Sequence, residues 1–322
     1  MPGGGRRAGG GPWAGGGRRA GDGFAVKPAP FGFHRASSVD QAVAYLAAYD
    51  GTARLLAGGQ SLAPLLNMRL LRPDALIDLN GIEELTAIRA TADRTIIGAM
   101  VRYVTLEYSP VIAGRLPLLA RVVRHIGDRQ VRNRGTIGGS LAQGDPTGEL
   151  PLACLALGAS VRAVGPDGTR EIPVEQLYLG SYATVLDPCE VLTDVIFPPA
   201  PAQCAFAESC RRHNDFAIIS AGCVGSRTPG GRWDGIRIAL GGIADSPVLA
   251  RASSDLLSAG ELSDRDIAAA AEAALQVADP PTDIRASAAY RRHLVPVYVR
   301  RVLTELRSAG MASAPPDRGD QP

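Results

Sequence analysis

The chain has 322 residues, 46% of them hydrophobic and 20% charged, which exceeds what one core of roughly 250–300 residues normally organises and calls for two or three domains. Its formal net charge of +2 excludes the strongly basic footprint of a nucleic-acid binder. The longest apolar runs, such as 150–159, fall short of the ~20 residues of a membrane span. The five cysteines are Cys154, Cys189, Cys204, Cys210 and Cys223. An odd number with no C-x-x-C pair predicts free, mostly buried thiols in a reducing cytoplasm, and no zinc or iron–sulfur site built from this chain alone.

Residues 1–26 alternate glycine runs with Arg6-Arg7 and Arg18-Arg19. They lack the apolar segment of an export signal, so a disordered, low-complexity extension is expected, with folded sequence beginning near Val26 and a native start downstream of Met1. Residues 311–322 are expected to form a disordered tail. Phe31 and Phe33 alternate as a strand would, and Ser38-Val-Asp-Gln41 supplies a capping box for a helix stopped at Gly51. Residues 53–57 form a short buried strand that runs into Gly58-Gly-Gln-Ser61, and a helix is expected over 62–71. Strands follow at 75–79 and 95–100, then a helix over 116–125.

The stretch 134–151, RGTIGGSLAQGDPTGELP, carries five glycines, hydroxyl side chains on both sides of a Gly-Gly pair, and Asp145 and Glu149 four positions apart. A simple turn needs one glycine and one Asn or Asp. The excess points to a backbone cradle for an anionic ligand. Gly58-Gly-Gln-Ser61 taken alone is more often just a tight turn, and it is neither a dinucleotide fingerprint nor a P-loop. Paired with Gly138-Gly-Ser140 it becomes half of a clasp that could close on a pyrophosphate from both sides.

Beyond this stretch a helix is expected over 149–157, closed by Gly158, then a hairpin over 160–174 around Pro166-Asp-Gly168, a strand over 191–197, and a proline linker at 198–201. The last third predicts strands at 205–210, 218–224 and 236–240 and helices near 263–278 and 287–307, a small α+β unit with a three-stranded antiparallel sheet. The insert 211–216, charged residues ending in Phe216, could be no more than a solvated hairpin. His34, His125, His213 and His293 form no triad and no metal spacing, so neither catalytic residues nor a metal site are expected.

Five motifs in order, AGGQSL at 57–62, VRNRGTIGGS at 131–140, the following acidic pair Asp145 and Glu149, RRHNDFA at 211–217 and IALGGIADSPVLA at 238–250, resemble the FAD-binding medium subunit of molybdenum hydroxylases of the xanthine dehydrogenase and carbon monoxide dehydrogenase type. The resemblance runs from about Lys27 to Leu306. It implies an α+β fold in which a two-subdomain FAD-binding domain of the PCMH or vanillyl-alcohol-oxidase-like kind spans 27–200 and a C-terminal medium-subunit domain spans 201–310. It also implies FAD as cofactor, a large molybdenum-cofactor subunit and a small iron–sulfur subunit as partners in a dimer of heterotrimers, and no nucleic acid.

By the same resemblance, Leu55, Leu56, Ala57, Gly58, Gly59, Gln60, Ser61 and Leu62 hold the FAD pyrophosphate and nearby ribityl oxygens, together with Thr136, Ile137, Gly138, Gly139 and Ser140. Ile126 lies against the adenine. Asp145 and Glu149 contact the cofactor, the latter where relatives carry Asp, and Leu192 offers a backbone contact to the isoalloxazine. Asp215 and Phe216 flank the flavin ring. Asn214 stands where many relatives have Gly, Ala207 where some have a lysine, and Gln60 where carbon monoxide dehydrogenases have His, which argues against carbon monoxide as substrate. The function implied is electron transfer from iron–sulfur clusters through FAD to an external acceptor. A stand-alone flavin oxidase or dehydrogenase and a non-catalytic nucleotide-binding protein are the alternatives.

Overall fold

The computed structural model describes residues 27–212, 214–258 and 260–312. The extension 1–26, His213, Ala259 and residues 313–322 lie outside them. The chain opens with β1 (Gly32–Arg35), α1 (Val39–Ala48), β2 (Arg54–Leu56), α2 (Leu62–Asn67) and β3 (Ala75–Asp78). The strands form a parallel sheet in the order β1-β3-β2, and the central β3 is buried at all four positions. Ser38 caps α1 by accepting the Gln41 N–H, but Gln41 turns its amide oxygen to the Ser37 N–H at 2.8 Å, so only half of the expected capping box forms. α2 stops at Asn67, short of the expected 71, and Arg69 follows at φ +56°.

β4 (Ile88–Ala90) and β5 (Thr95–Gly98) begin a second sheet. Six helices follow: α3 (Tyr103–Tyr108), α4 (Pro110–Arg115), α5 (Pro117–Val122), α6 (Arg129–Arg134), α7 (Ile137–Gln143) and α8 (Glu149–Ala156). Proline at the first position starts α4 and α5, where its missing N–H costs nothing. The chain then returns through β6 (Ser160–Gly165), β7 (Gly168–Pro173), the small hairpin β8 (Tyr178–Gly180) and β9 (Ala183–Thr184), and β10 (Val191–Phe197). The second sheet is antiparallel in the order β4-β5-β10-β6-β7. β10 is buried at every position because sheet and helices cover both of its faces.

The last third contains β11 (Gln203–Cys210), β12 (Ala217–Arg227), β13 (Trp233–Gly241), β14 (Val248–Leu249), α9 (Arg251–Leu256), α10 (Asp264–Ala273) and α11 (Ala288–Ala312). The three expected strands are present, and the two-residue β14 joins them as a fourth. It is too short to carry an alternation. Ser263 and Asp266 form a full capping box at the start of α10.

The cores do not divide at the proline linker. Phe206, Val224 and Ala239 of the last sheet belong to the same buried cluster as α5, α7, α8 and β10, while the opposite face of that sheet packs on α10 and α11. Arg237 of β13 donates from Nε to the Ala156 carbonyl and from Nη2 to the Leu155 carbonyl, both at 2.9 Å, satisfying the open end of α8. Among the described residues no helix is long and apolar enough to cross a membrane.

Candidate functional site

The two Gly-Gly elements meet. A β-carbon on Gly58 would run into the Arg134 carbonyl and the Gly135 α-carbon, and one on Gly139 would lie 3.6 Å from Ala57 Cβ. The 57–61 turn therefore rests backbone to backbone on the start of α7. Gly59 has φ +73°, a left-handed conformation in which glycine meets no steric cost. Among the described residues the N–H groups of Gly58, Gly59, Gln60 and Ser61 donate to no protein acceptor. Gln60 and Ser61 are exposed and Leu55, Leu56, Ala57 and Leu62 half-buried. Gln60 folds its own amide back on the Gly58 carbonyl at 3.1 Å.

The second element is not the open loop that its glycines predict. Residues 137–143 form α7, with Thr136 as N-cap accepting the Gly139 N–H at 3.2 Å. The Ile137 and Gly138 amides donate to the Val101 and Ala99 carbonyls at 3.1 and 2.9 Å, and the Ile137 side chain is in the core. A β-carbon on Gly138 would lie 2.5 Å from Ala99 Cβ, so this glycine serves helix packing. The first turn supplies four unpartnered amides, whereas in the second Thr136 is buried with its hydroxyl engaged by the Gly139 N–H, and only Gly139 and Ser140 are partly exposed.

Asn80 and Arg102 lock the two together. Asn80 donates to the Ala57 carbonyl at 3.1 Å, and Arg102 reaches both Asn80 Oδ1 and the Arg134 carbonyl. Burial and the neighbouring Arg134 lower the Arg102 pKa. A cavity of about 110 Å³ opens beside this bridge, lined by Asn80, Thr86, Met100, Val101, Arg102 and Thr105. A larger cleft of about 520 Å³, around Arg89, Arg162 and Asp194, contains none of the expected site residues.

The remaining expected residues fall into two walls. Asp145 accepts from the Thr147 N–H and hydroxyl at 2.9 and 2.8 Å, and the Tyr182 hydroxyl lies 3.4 Å from its other oxygen. Phe216 is 53% exposed, with the Arg285 guanidinium 4.6 Å over its ring, and Asp215 Oδ1 accepts the Phe216 N–H at 2.8 Å. Asn214 has φ +64°, the conformation asparagine tolerates best after glycine. On the other side, Glu149 opens α8, and burial, reinforced by Glu208 and Asp145, pushes its carboxyl up to about 8. Tyr103, hydrogen-bonded to Ser140, is pushed up to about 12 by burial. The Leu192 side chain is buried in the core beside a bulge in β10, which leaves its backbone as the part able to face a ligand. The Ile126 carbonyl accepts from Arg132 at 3.2 Å.

Residues 29–200 match the FAD binding domain in molybdopterin dehydrogenase, and 204–306 the CO dehydrogenase flavoprotein C-terminal domain. The chain belongs to the molybdopterin dehydrogenase FAD-binding family. It is 38% identical over 282 residues to the 6-hydroxypseudooxynicotine dehydrogenase complex subunit alpha of Paenarthrobacter nicotinovorans, covering 87% of this chain and 95% of that one. It is also 38% identical over 280 residues to the carbon monoxide dehydrogenase medium chain of Hydrogenophaga pseudoflava, covering 86% and 96%. The solved structure of the Hydrogenophaga carbon monoxide dehydrogenase superposes with a TM-score of 0.84 at 37% identity over 87% of this chain and 98% of that one. Quinoline 2-oxidoreductase from Pseudomonas putida 86 gives 0.84 at 35%, over 88% and 99%.

In a member of this FAD-binding family the free amides and the left-handed Gly59 fit a dianionic pyrophosphate. Successive backbone N–H groups of this kind can form an anion-binding concavity. The sequence motifs contain no sign of Arg102, Tyr103, Tyr182, Glu208 or Arg285, because each reaches the site by tertiary contact. Asn80 alone had a weak signal, the Leu-Asn-Gly turn that ends β3.

Proposed function

We propose that this chain is the FAD-carrying medium subunit of a molybdenum hydroxylase complex, receiving electrons from an iron–sulfur subunit and passing them to an external acceptor. The observation that carries this reading is the packing of four unpartnered amides at Gly58–Ser61 against the start of α7, in a chain whose residues 29–200 match the FAD binding domain and 204–306 the flavoprotein C-terminal domain. Relatives that support the complex include the nicotine 6-hydroxylase medium subunit and two carbon monoxide dehydrogenase medium chains. By that analogy the partners are a large molybdenum-cofactor subunit and a small iron–sulfur subunit, arranged as a dimer of heterotrimers. Free cysteines are in keeping with a cytoplasmic location, and the residues 27–200 and 201–310 are taken as the two domains that enclose the cofactor.

When bound, FAD supplies a redox centre that exchanges either one or two electrons. The chain's own part is to hold and tune it. The amides of Gly58, Gly59, Gln60 and Ser61 bind the pyrophosphate, with Thr136, Gly139 and Ser140 closing the other side. Asp145 and Glu149 orient the sugar or ribityl end, Ile126 lines the adenine, and the Leu192 backbone meets the ring. Phe216, held by Asp215 and Arg285, shields one edge of the isoalloxazine from water.

Purification of the full chain with FAD tests this reading. Flavin absorbance at one equivalent per chain is expected, and a colourless protein indifferent to added FAD would defeat it. Co-purification with molybdenum and iron–sulfur subunits distinguishes the complex from a stand-alone flavin enzyme, which would turn over substrate as a single chain.

A further inference from the structure

The loop between β8 and β9 consists of Ser181 and Tyr182, with Gly180 paired to Ala183 across it. Tyr182 has φ +58°. A turn with positive φ at its second loop position ordinarily takes Gly or Asn there, and a bulky side chain in the left-handed region is an outlier. Among the described residues it is the one aromatic side chain so placed. Packing does not offset the strain. The ring is 60% exposed and belongs to none of the buried clusters.

What holds the loop is a set of polar ties, two of which end at the candidate site. The Tyr182 N–H donates to the Gly144 carbonyl at 2.8 Å, and Gly144 is the left-handed residue that ends α7. The approach is close enough that a β-carbon on Gly144 would lie 3.4 Å from Tyr182 Cα. The Tyr182 hydroxyl donates to Asp145 Oδ2 at 3.4 Å, while Thr147 occupies Oδ1. The Ser181 hydroxyl donates to the Asp245 carbonyl at 3.1 Å, beyond β13. The loop tip is therefore pinned to both halves of the chain.

Gly139 and Gly144 are five residues apart on α7, about 8 Å along its axis at the helical rise, so Tyr182 is attached at the end away from the phosphate turn. Arg285, whose guanidinium lies 4.6 Å over the Phe216 ring, is also within electrostatic range of the Tyr182 hydroxyl. Two exposed aromatic side chains from different elements thus have one guanidinium in common. Strained backbone of this kind persists where the surroundings over-determine it, and it clusters at ligand sites. An exposed aromatic ring offers a flat face for stacking.

We propose that Tyr182 is a flavin-contacting residue, its left-handed turn setting the ring beside the isoalloxazine and directing the hydroxyl onto Asp145. This rests on the FAD reading above, which names the ligand, while the strained tyrosine belongs to the chain itself.

The test uses the full chain as wild type, Tyr182→Gly and Tyr182→Phe, each stripped of FAD. Each is titrated with FAD and, separately, with ADP, which has the pyrophosphate and adenine but no flavin. Glycine removes the ring and relieves the backbone, so stripped Tyr182→Gly is expected to melt at or above the wild-type midpoint. Its FAD dissociation constant should rise severalfold and the visible band of the bound flavin should shift, with ADP bound as before. Tyr182→Phe keeps the ring and should hold FAD nearly as tightly as the wild type. Unchanged FAD affinity and band in Tyr182→Gly, equal losses for FAD and ADP, or a stripped Tyr182→Gly chain melting well below wild type would each overturn the proposal. A wild-type chain that takes up no FAD defeats the FAD reading and this role with it, whereas the other outcomes overturn the role of Tyr182 alone.

Discussion

Gly58 is packed so tightly on the carbonyl of Arg134 that no side chain can be placed between them. The turn with the free amides is thus positioned by the backbone that enters α7, and the two glycine elements act as one body. Gly58→Ala has to push this backbone away. Overpacking of this kind costs about 1–3 kcal/mol, and the expected result is a lower melting point together with loss of FAD, read as the flavin-to-protein absorbance ratio.

Gly59→Val and Gly138→Val should fail for different reasons. At Gly59 the nearest atom to an added β-carbon is Leu56 Cδ1 at 3.3 Å, and the difficulty is φ +73°, costing about 1–2 kcal/mol and placing a branch beside the free amides. Gly138→Val meets Ala99 in the protein interior. Loss of FAD with a folded apo chain is expected for the first, and a broad loss of folding for the second. Circular dichroism melts of both stripped proteins distinguish them, and a Gly138→Val chain as stable as wild type would show the packing argument to be mistaken.

Arg102→Leu removes the donor that ties Asn80 to the Arg134 carbonyl. Hydrogen bonds to a charged group contribute about 1.5–3 kcal/mol each to stability, so loss of both links predicts a lower melting point of the stripped chain together with weaker FAD binding, because the turn is no longer held against α7. Fluorescence titration of apo protein with FAD measures it.

Phe216→Ala should leave FAD bound, because Phe216 is half-exposed and holds no phosphate donor, but it uncovers the space under Arg285. A shift in reduction potential or in reactivity of reduced flavin with oxygen is expected. An unchanged potential in spectroelectrochemical titration would put this ring away from the flavin.

Arg291 is almost fully buried and donates to the Ile218 and Gly242 carbonyls and to Asp283. Arg291→Met keeps the length and strands these acceptors, at about 1–3 kcal/mol for each that stays dry. Urea unfolding should show a loss of several kcal/mol, and because residues 283–285 are tied to this side chain, the Phe216–Arg285 stack should loosen with it.

Where the physics is local, the sequence was readable. The Asp167-Gly168 turn marks the β6–β7 hairpin, the unbroken apolar run of 191–197 marks a strand covered on both faces, and Gly158 at φ +68° ends α8. α7 was hidden because two glycines disfavour a helix by about 1 kcal/mol each. It forms because Thr136 caps it, Ile137 and Leu141 bury one turn apart, and only glycine fits at 138 against Ala99, the residue that follows β5. The pairs Asn80–Arg102 and His125–Glu208 are 22 and 83 residues apart, and no spacing rule reaches so far. His125 in particular looked like an ordinary isolated histidine.

Arg237 gives the molecule a property that its two-domain layout conceals. The helix whose first residue is Glu149 has its last carbonyls satisfied by a side chain from β13, so the cofactor half is completed by the half that follows it. A chimera that exchanges residues 201–310 for those of a relative is expected to need an arginine in this place, so the two parts of this chain are mutually fitted rather than interchangeable.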